Sequence, residues 1–168
     1  MEELQTFHET DIILVCGLYG AGKSQFSKKF FVETGRLRVN RNEIRKMLYE
    51  MIHFGKPWSA QSYSEVDENL VKHTERKIIE QLLFDNRKIL IDNTSVTRKS
   101  RAQYISLAHQ SMDTIGVIFL NTPLGKCLER NKQNPQGVPP TVITNQSQQL
   151  ELPEDTEGFE EVLILDDF

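Results

Sequence analysis

The run Gly17-Leu18-Tyr19-Gly20-Ala21-Gly22-Lys23-Ser24 has residue types and spacing suited to holding a polyphosphate. It satisfies the pattern Gly-x-x-x-x-Gly-Lys-Ser in full. Glycines let a backbone turn its N–H groups inward without side-chain obstruction. A helix beginning near Lys23, with Gln25 in its first turn, offers the positive end of its dipole to the same anion. Lys23 is then placed to reach the β- and γ-phosphates, and Ser24 to give its hydroxyl to Mg²⁺. The implied ligand is ATP or GTP with Mg²⁺. A carboxylate on the metal side is expected at the end of a buried strand, and Asp92 stands there, directly after Lys88-Ile89-Leu90-Ile91.

These residues need a strand before the turn and a helix after it. Residues 11–16 are a short apolar run that reads as a buried strand, and the pattern predicts a helix over 24–33 closed by Gly35. A short strand follows over 37–39. Asn40 reads as the N-cap of a helix over 41–52, with Ile44, Leu48 and Ile52 on one face. A loop over 54–62 carries Trp58. A long helix over 63–84 has Val66, Leu70, Ile78 and Leu82 as its apolar stripe. A strand over 88–91, a helix over 97–110 and a strand over 114–120 come next. Pro123 opens a helix to about Lys132, a loop covers 134–140, and a helix over 141–150 precedes a last strand over 160–165. Continuous apolar strands alternating with helices predict a mostly parallel sheet covered on both faces. The expected fold is one α/β domain over residues 1–168, a three-layer sandwich with about five strands.

Net charge is −4 and the isoelectric point is 5.6, so no bulk cationic surface announces a nucleic-acid partner. Basic residues are grouped locally, as Arg36, Arg38, Arg41, Arg45 and Lys46, and again as Arg98, Lys99 and Arg101, while acid collects from Glu151 to Asp167. The groups fit either a basic cleft or solvated helix faces. No apolar run approaches the roughly 18–20 residues of a membrane span. The start Met1-Glu2-Glu3 is acidic, unlike a secretion signal, so a cytoplasmic protein with no membrane partner is expected. Cys16 and Cys127 read as reduced, partly buried thiols. His8, His53, His73 and His109 are scattered without ligand spacing.

Four segments together resemble the polynucleotide 5′-hydroxyl kinase group of P-loop phosphotransferases, which is related to the seryl-tRNA kinases and zeta-toxin-like kinases. The first is residues 17–24. The second, Val39-Asn40-Arg41-Asn42-Glu43-Ile44-Arg45, is similar to that group's V-N-R-D-x-x-R. The third, Ile91-Asp92-Asn93-Thr94-Ser95 with Arg98 and Arg101 after it, is similar to I-D-N-T-N … R. The fourth, Leu128-Glu129-Arg130-Asn131 followed by Val138-Pro139, is similar to the lid segment R-N … V-P and equally to the lid of kinases that phosphorylate seryl-tRNA. Glu157-Gly158-Phe159 adds a further feature near the C-terminus. The resemblance spans about residues 11–165 and implies a kinase with a lid at about 128–140. It implies transfer of the γ-phosphate of ATP to a 5′-hydroxyl of RNA or DNA, with a nucleic-acid end or tRNA as partner. Arg45 would clamp the acceptor's phosphate with its guanidinium fork. Arg130 would join the nucleotide site and neutralise charge on the transferring phosphoryl. Asp92 would support Mg²⁺ through water.

The sequence departs from this pattern where the group carries an aspartate as general base toward the acceptor hydroxyl. Here that position is Asn42, whose amide can orient a hydroxyl but not take its proton. Loss of a general base typically removes about 10²–10⁴-fold in rate. Phosphoryl transfer leans mainly on positioning and charge stabilisation, so activity can survive. A kinase with rerouted base chemistry, a regulatory module that binds nucleotide without transfer, and an introduced substitution are all consistent with Asn42. Related lids also carry a second arginine where this chain has Asn134. The acidic total favours a short end, a tRNA tip or a small metabolite over extended nucleic acid. Tyr49, Trp58 and Tyr63 fit base stacking or, more simply, packing.

Overall fold

A computed structural model describes residues 2–134 and 137–166. In chain order the elements are β1 (Ile12–Cys16), α1 (Lys23–Phe31), β2 (Leu37–Val39), α2 (Arg41–Ile52), α3 (Glu65–Phe84), β3 (Ile89–Asp92), α4 (Arg98–Ser111), β4 (Ile115–Asn121), α5 (Leu124–Gln133), α6 (Pro140–Gln148) and β5 (Glu161–Asp166). The strands form one five-stranded sheet in the order β2-β3-β1-β4-β5. Every pairing is parallel, with Ile12 opposite both Ile89 and Ile115. The three inner strands lie between other strands and under helices on both faces. This explains why β1 and β3 are buried at every residue and carry no polar alternation.

Alternate side chains of β1 point to opposite faces, and each face builds its own core. Ile12, Leu14 and Cys16 pack with Leu48, Val71, Ile79 and Tyr104 from α2, α3 and α4. Ile13 and Val15 pack with Phe26, Phe31, Cys127 and Ile143 from α1, α5 and α6. The expected three-layer arrangement is therefore observed, with helices as the outer layers.

Local chemistry sets the helix starts. Asn40 accepts from the Glu43 backbone N–H, Ser64 accepts from that of Asp67, and Thr97 and Ser100 form a reciprocal capping box. Because Ser64 takes the cap, the long helix begins at Glu65 rather than 63. The helix expected over 24–33 ends at Phe31 and tightens into a 3₁₀ turn, Val32–Thr34, before Gly35 at φ 73°. The loop expected over 54–62 holds a further 3₁₀ turn, Ala60–Ser62. Two 3₁₀ turns precede β1, and the pattern reading did not anticipate them. They seat Phe7 against Gly116, where a Cβ would come within 2.8 Å of the Phe7 ring. Of the residues used in the sequence reading, Met1, Pro135, Gln136, Asp167 and the side chain of Val66 lie outside the described residues.

Two arginines from the basic groups are corrected to structural roles. Arg36 sends its guanidinium into the backbone carbonyls of Phe7, His8, Thr10 and Asp11, fastening the N-terminal turns to the base of the sheet. Arg101 is wholly buried and pairs with buried Glu157 through two hydrogen bonds, of 2.8 and 2.5 Å. It also donates to the carbonyls of Ser95 and Glu151, so one side chain ties α4 to the turn before β5. Removing one member of such a pair leaves a buried charge without compensation. Arg101→Met should cost about 3–5 kcal/mol of unfolding free energy. Urea denaturation checks this, and a loss below about 1 kcal/mol would contradict the assigned role.

Candidate active site

All strands run the same way, so their C-terminal ends share one edge of the sheet, where ligands bind in open α/β folds. A cleft of about 630 Å³ opens there, between the glycine-rich turn, the start of α2, the exit of β3 and the end of α5. Tyr19, Gly20, Gly22, Lys23, Ser24 and Gln25 line one wall, while Asn42, Arg45, Asp92 and Arg130 close the others. Gly17, Leu18 and Ala21 do not line it, and the side chains of Leu18 and Ala21 are buried in the core.

The turn depends on glycine for its shape. Gly20 has φ 83°, and a Cβ on it would lie 2.6 Å from the Cys127 carbonyl oxygen. Gly22, at φ 96°, caps α1 without a side chain, which leaves the helix's first N–H groups open to an anion. Lys23 bends its ammonium across the loop to the carbonyls of Gly17 (3.0 Å) and Leu18 (2.8 Å). Burial pushes its pKa down, and the nearby Asp92 opposes that shift. Cys16, at the end of β1, is driven up to about 12 by burial, so its thiol is no nucleophile.

Below the turn, the Ser24 hydroxyl donates to Asp92 Oδ2 at 2.9 Å. The second carboxylate oxygen, Oδ1, is buried without a hydrogen-bond partner. A hydroxyl and a carboxylate with an unsatisfied oxygen are the hard donors that Mg²⁺ takes, so this pair fits the metal. Arg38 is the residue that sequence reasoning missed here. Its Nε and Nη2 donate to Asp92 Oδ2 at 3.0 and 2.8 Å, and its Nη1 pairs with Glu43 at 2.7 Å. The strand pattern placed Arg38 on β2 without showing that β2 lies beside β3.

A further wall of the cleft is built from the start of α2. Asn40 Nδ2 donates to the Asp92 carbonyl at 2.7 Å, and the Arg41 backbone N–H donates to Asn93 Oδ1 at 3.0 Å. Buried Glu75 accepts from Arg41 and from Asn93, and Tyr104 joins both. Arg41 thus belongs to a buried network and not to an open basic face. Arg45 is likewise engaged. Its Nε and Nη2 donate to the two oxygens of Glu68, each at 2.8 Å, and its Nη1 donates to Asn42 Oδ1. The fork expected to hold an acceptor phosphate is occupied by a carboxylate of the same chain. Glu68 and Glu75 were not found from sequence because α3 reads there as a polar helix face.

On the opposite wall Arg130 is exposed on α5 and donates across the turn to the Ala21 carbonyl at 3.2 Å. Asn131 brackets the following loop by donating to the Val138 carbonyl and accepting from the Val138 N–H. Asn134, where the resemblance leads one to expect a second lid arginine, donates to the Tyr19 hydroxyl at 3.2 Å. Tyr49 is buried and stacked on His53, so it packs rather than offers a base platform. Trp58 and Tyr63 line a small apolar groove with it. Among the described residues, no cluster of three His, Cys, Asp or Glu could hold a metal, and no helix is long and apolar enough to cross a membrane.

A family model described as an AAA domain matches residues 12–153. The L-seryl-tRNA(Sec) kinase of Methanococcus maripaludis is 24% identical over 142 residues, covering 84% of this chain and 53% of that protein. The chain therefore spans about half the length of this curated relative. A chain of the Pnkp1/Rnl/Hen1 RNA repair complex matches with a TM-score of 0.68 at 21% identity, over 85% of this chain and 44% of that one. A gluconokinase of Sinorhizobium meliloti 1021 matches with a TM-score of 0.61 at 16% identity, over 94% and 83%. At these identities the structures establish a common fold, the P-loop kinase type.

Gly20→Ala would press a methyl into the Cys127 carbonyl from a backbone conformation that L-residues rarely adopt. Strain of about 1–3 kcal/mol in the cradle should weaken ADP binding about tenfold or more. Calorimetric titration reads the change, and unaltered affinity in a folded variant would contradict the cradle.

Proposed function

The chain belongs to the AAA domain family, matched over residues 12–153, and from that premise we propose that it is an ATP-dependent kinase acting on a hydroxyl acceptor. The observation that carries this reading is the convergence of Lys23 and Arg130 on one glycine turn, above the Ser24–Asp92 pair. When nucleotide enters, Lys23 leaves the carbonyls of Gly17 and Leu18 and donates to the β- and γ-phosphates. The backbone N–H groups of residues 20–24 cradle the same phosphates. Arg130 reaches from α5 to the γ-phosphoryl and offsets charge as it spreads over the equatorial oxygens. Ser24 and Asp92 would hold Mg²⁺, which supplies further charge neutralisation when bound. Residues 128–140 act as the lid that excludes water and limits idle hydrolysis.

For the acceptor we favour a 5′-hydroxyl of RNA or DNA. The support is the segment Asn40-Arg41-Asn42, with Arg45 one turn later, all lining the cleft. A second reading, an aminoacyl-tRNA or a small hydroxylated metabolite, draws on a specific observation. Arg41 and Arg45 are each paired with a carboxylate of the chain, so this wall offers less positive charge than the sequence suggested.

The test is transfer from radiolabelled ATP, with Mg²⁺, to 5′-hydroxyl RNA and DNA oligonucleotides, seryl-tRNA and gluconate in parallel. Label on the oligonucleotides is expected, and label confined to the other acceptors would replace the first reading by the second. Lys23→Ala should lower transfer by about 10²-fold or more, as loss of a charge-stabilising donor does. Unchanged turnover in that variant would sink the site.

A further inference from the structure

If the chain transfers phosphate, something must receive the acceptor hydroxyl's proton, and Asn42 cannot. Among the described residues lining the cleft, the carboxylates are Asp92 and Glu68. Asp92 is committed to Ser24 and Arg38 at the phosphate end. Glu68 projects from α3 into the acceptor end, where it is nearly buried yet still forms part of the cleft wall.

The position of Glu68 relative to Asn42 is fixed by Arg45. One guanidinium donates through Nη1 to Asn42 Oδ1 and through Nε and Nη2 to the two Glu68 oxygens. The carboxylate therefore stands one fork's width from the amide. A carboxylate offers about four lone-pair sites, and Arg45 uses one on each oxygen. A second lone pair on each oxygen is left to accept. Asn42, with its oxygen turned to Arg45, keeps its NH₂ group as a donor.

We propose that Glu68 is the general base of this site, taking the proton of the acceptor hydroxyl in place of residue 42. The proposal rests on the kinase reading above. In the step, Asn42 donates a hydrogen bond to the hydroxyl oxygen, which attacks the γ-phosphorus. The new O–P bond forms as the bridging O–P bond to the β-phosphate breaks, and ADP departs with that electron pair. The hydroxyl proton passes to a Glu68 oxygen and from there to solvent. Arg45 holds the base and the orienting amide in register, a different task from clamping an acceptor phosphate.

The experiment compares the parent chain with Glu68→Gln, Asn42→Asp/Glu68→Gln and Glu68→Asp, using whichever acceptor the parent labels. Melting curves and ADP titration accompany each variant. Glu68→Gln should lower kcat by about 10²–10³-fold, with both KM values and ADP affinity within about threefold of the parent. Adding Asn42→Asp to Glu68→Gln should restore at least about tenfold, because it returns a carboxylate to the same hydroxyl. If Glu68→Gln does not fold, Glu68→Asp keeps the charge but withdraws the carboxylate by one methylene, and kcat should fall about tenfold. A kcat within threefold of the parent in a folded Glu68→Gln, a loss confined to KM, or a loss that Asn42→Asp leaves unrelieved would each overturn the proposal alone. A parent chain that binds ATP and labels no acceptor would overturn the kinase reading, and this proposal with it.

Discussion

Two hydrogen bonds join the cap and first residue of α2 to the last residue of β3 and the one after it, from Asn40 Nδ2 to the Asp92 carbonyl and from the Arg41 N–H to Asn93 Oδ1. Everything on the acceptor side hangs from this seam. Asn40 also caps α2, so the side chain that starts the helix is the one that anchors it to the strand end. Glu75 and Tyr104, both buried, each accept from the Arg41 guanidinium and from the Asn93 amide, and the Tyr104 hydroxyl donates to Glu75. A partly satisfied network would be costly in such an interior, so these residues act as a unit. Asn42 and Arg45 follow within the next turn of the helix, and the seam fixes where they face.

Charge is compensated pair by pair along the same wall. Arg38 faces Asp92 and Glu43, Arg41 faces Glu75, and Arg45 faces Glu68. A phosphate acceptor meeting this wall displaces a carboxylate instead of filling an empty fork. The nucleotide side is built differently, from backbone N–H groups, one lysine and an exposed arginine. On the proposed kinase reading the two halves of the cleft would discriminate by different physics, the first by specific pairing and the second by a concentrated positive field.

The nucleotide half was legible in the sequence because its chemistry is local. A strand, a glycine turn and a helix occupy consecutive residues, and Asp92 ends a strand that shows itself as three apolar letters, Ile89, Leu90 and Ile91. Asn40 was legible as a cap for the same reason. The acceptor half was not, because its partners are distant: Glu68 lies 23 residues from Arg45, and Glu75 lies 34 from Arg41. On a helix of mixed polarity both carboxylates look solvated. Arg36 and Arg101 misled in the other direction, since a charged letter carries no sign of the carbonyls or the buried Glu157 that surround it. Ser95 is a subtler case. It stands where the resembling segment has an asparagine, and it adopts φ 40°, a left-handed conformation that asparagine accepts more readily than serine.

The strand order carries a consequence for the chain's synthesis. β1 emerges first but lies at the centre of the sheet, pairing through Ile12 with Ile89 on one side and Ile115 on the other. Until translation has passed residue 121, the segment Ile12–Cys16 has no strand on at least one edge. Loop closure over such spans is slow relative to local helix formation, and unpaired apolar strands associate readily. The same parallel arrangement that gathers every strand end at one cleft obliges the nascent protein to shield the apolar segment Ile12–Cys16 until β4 has been made.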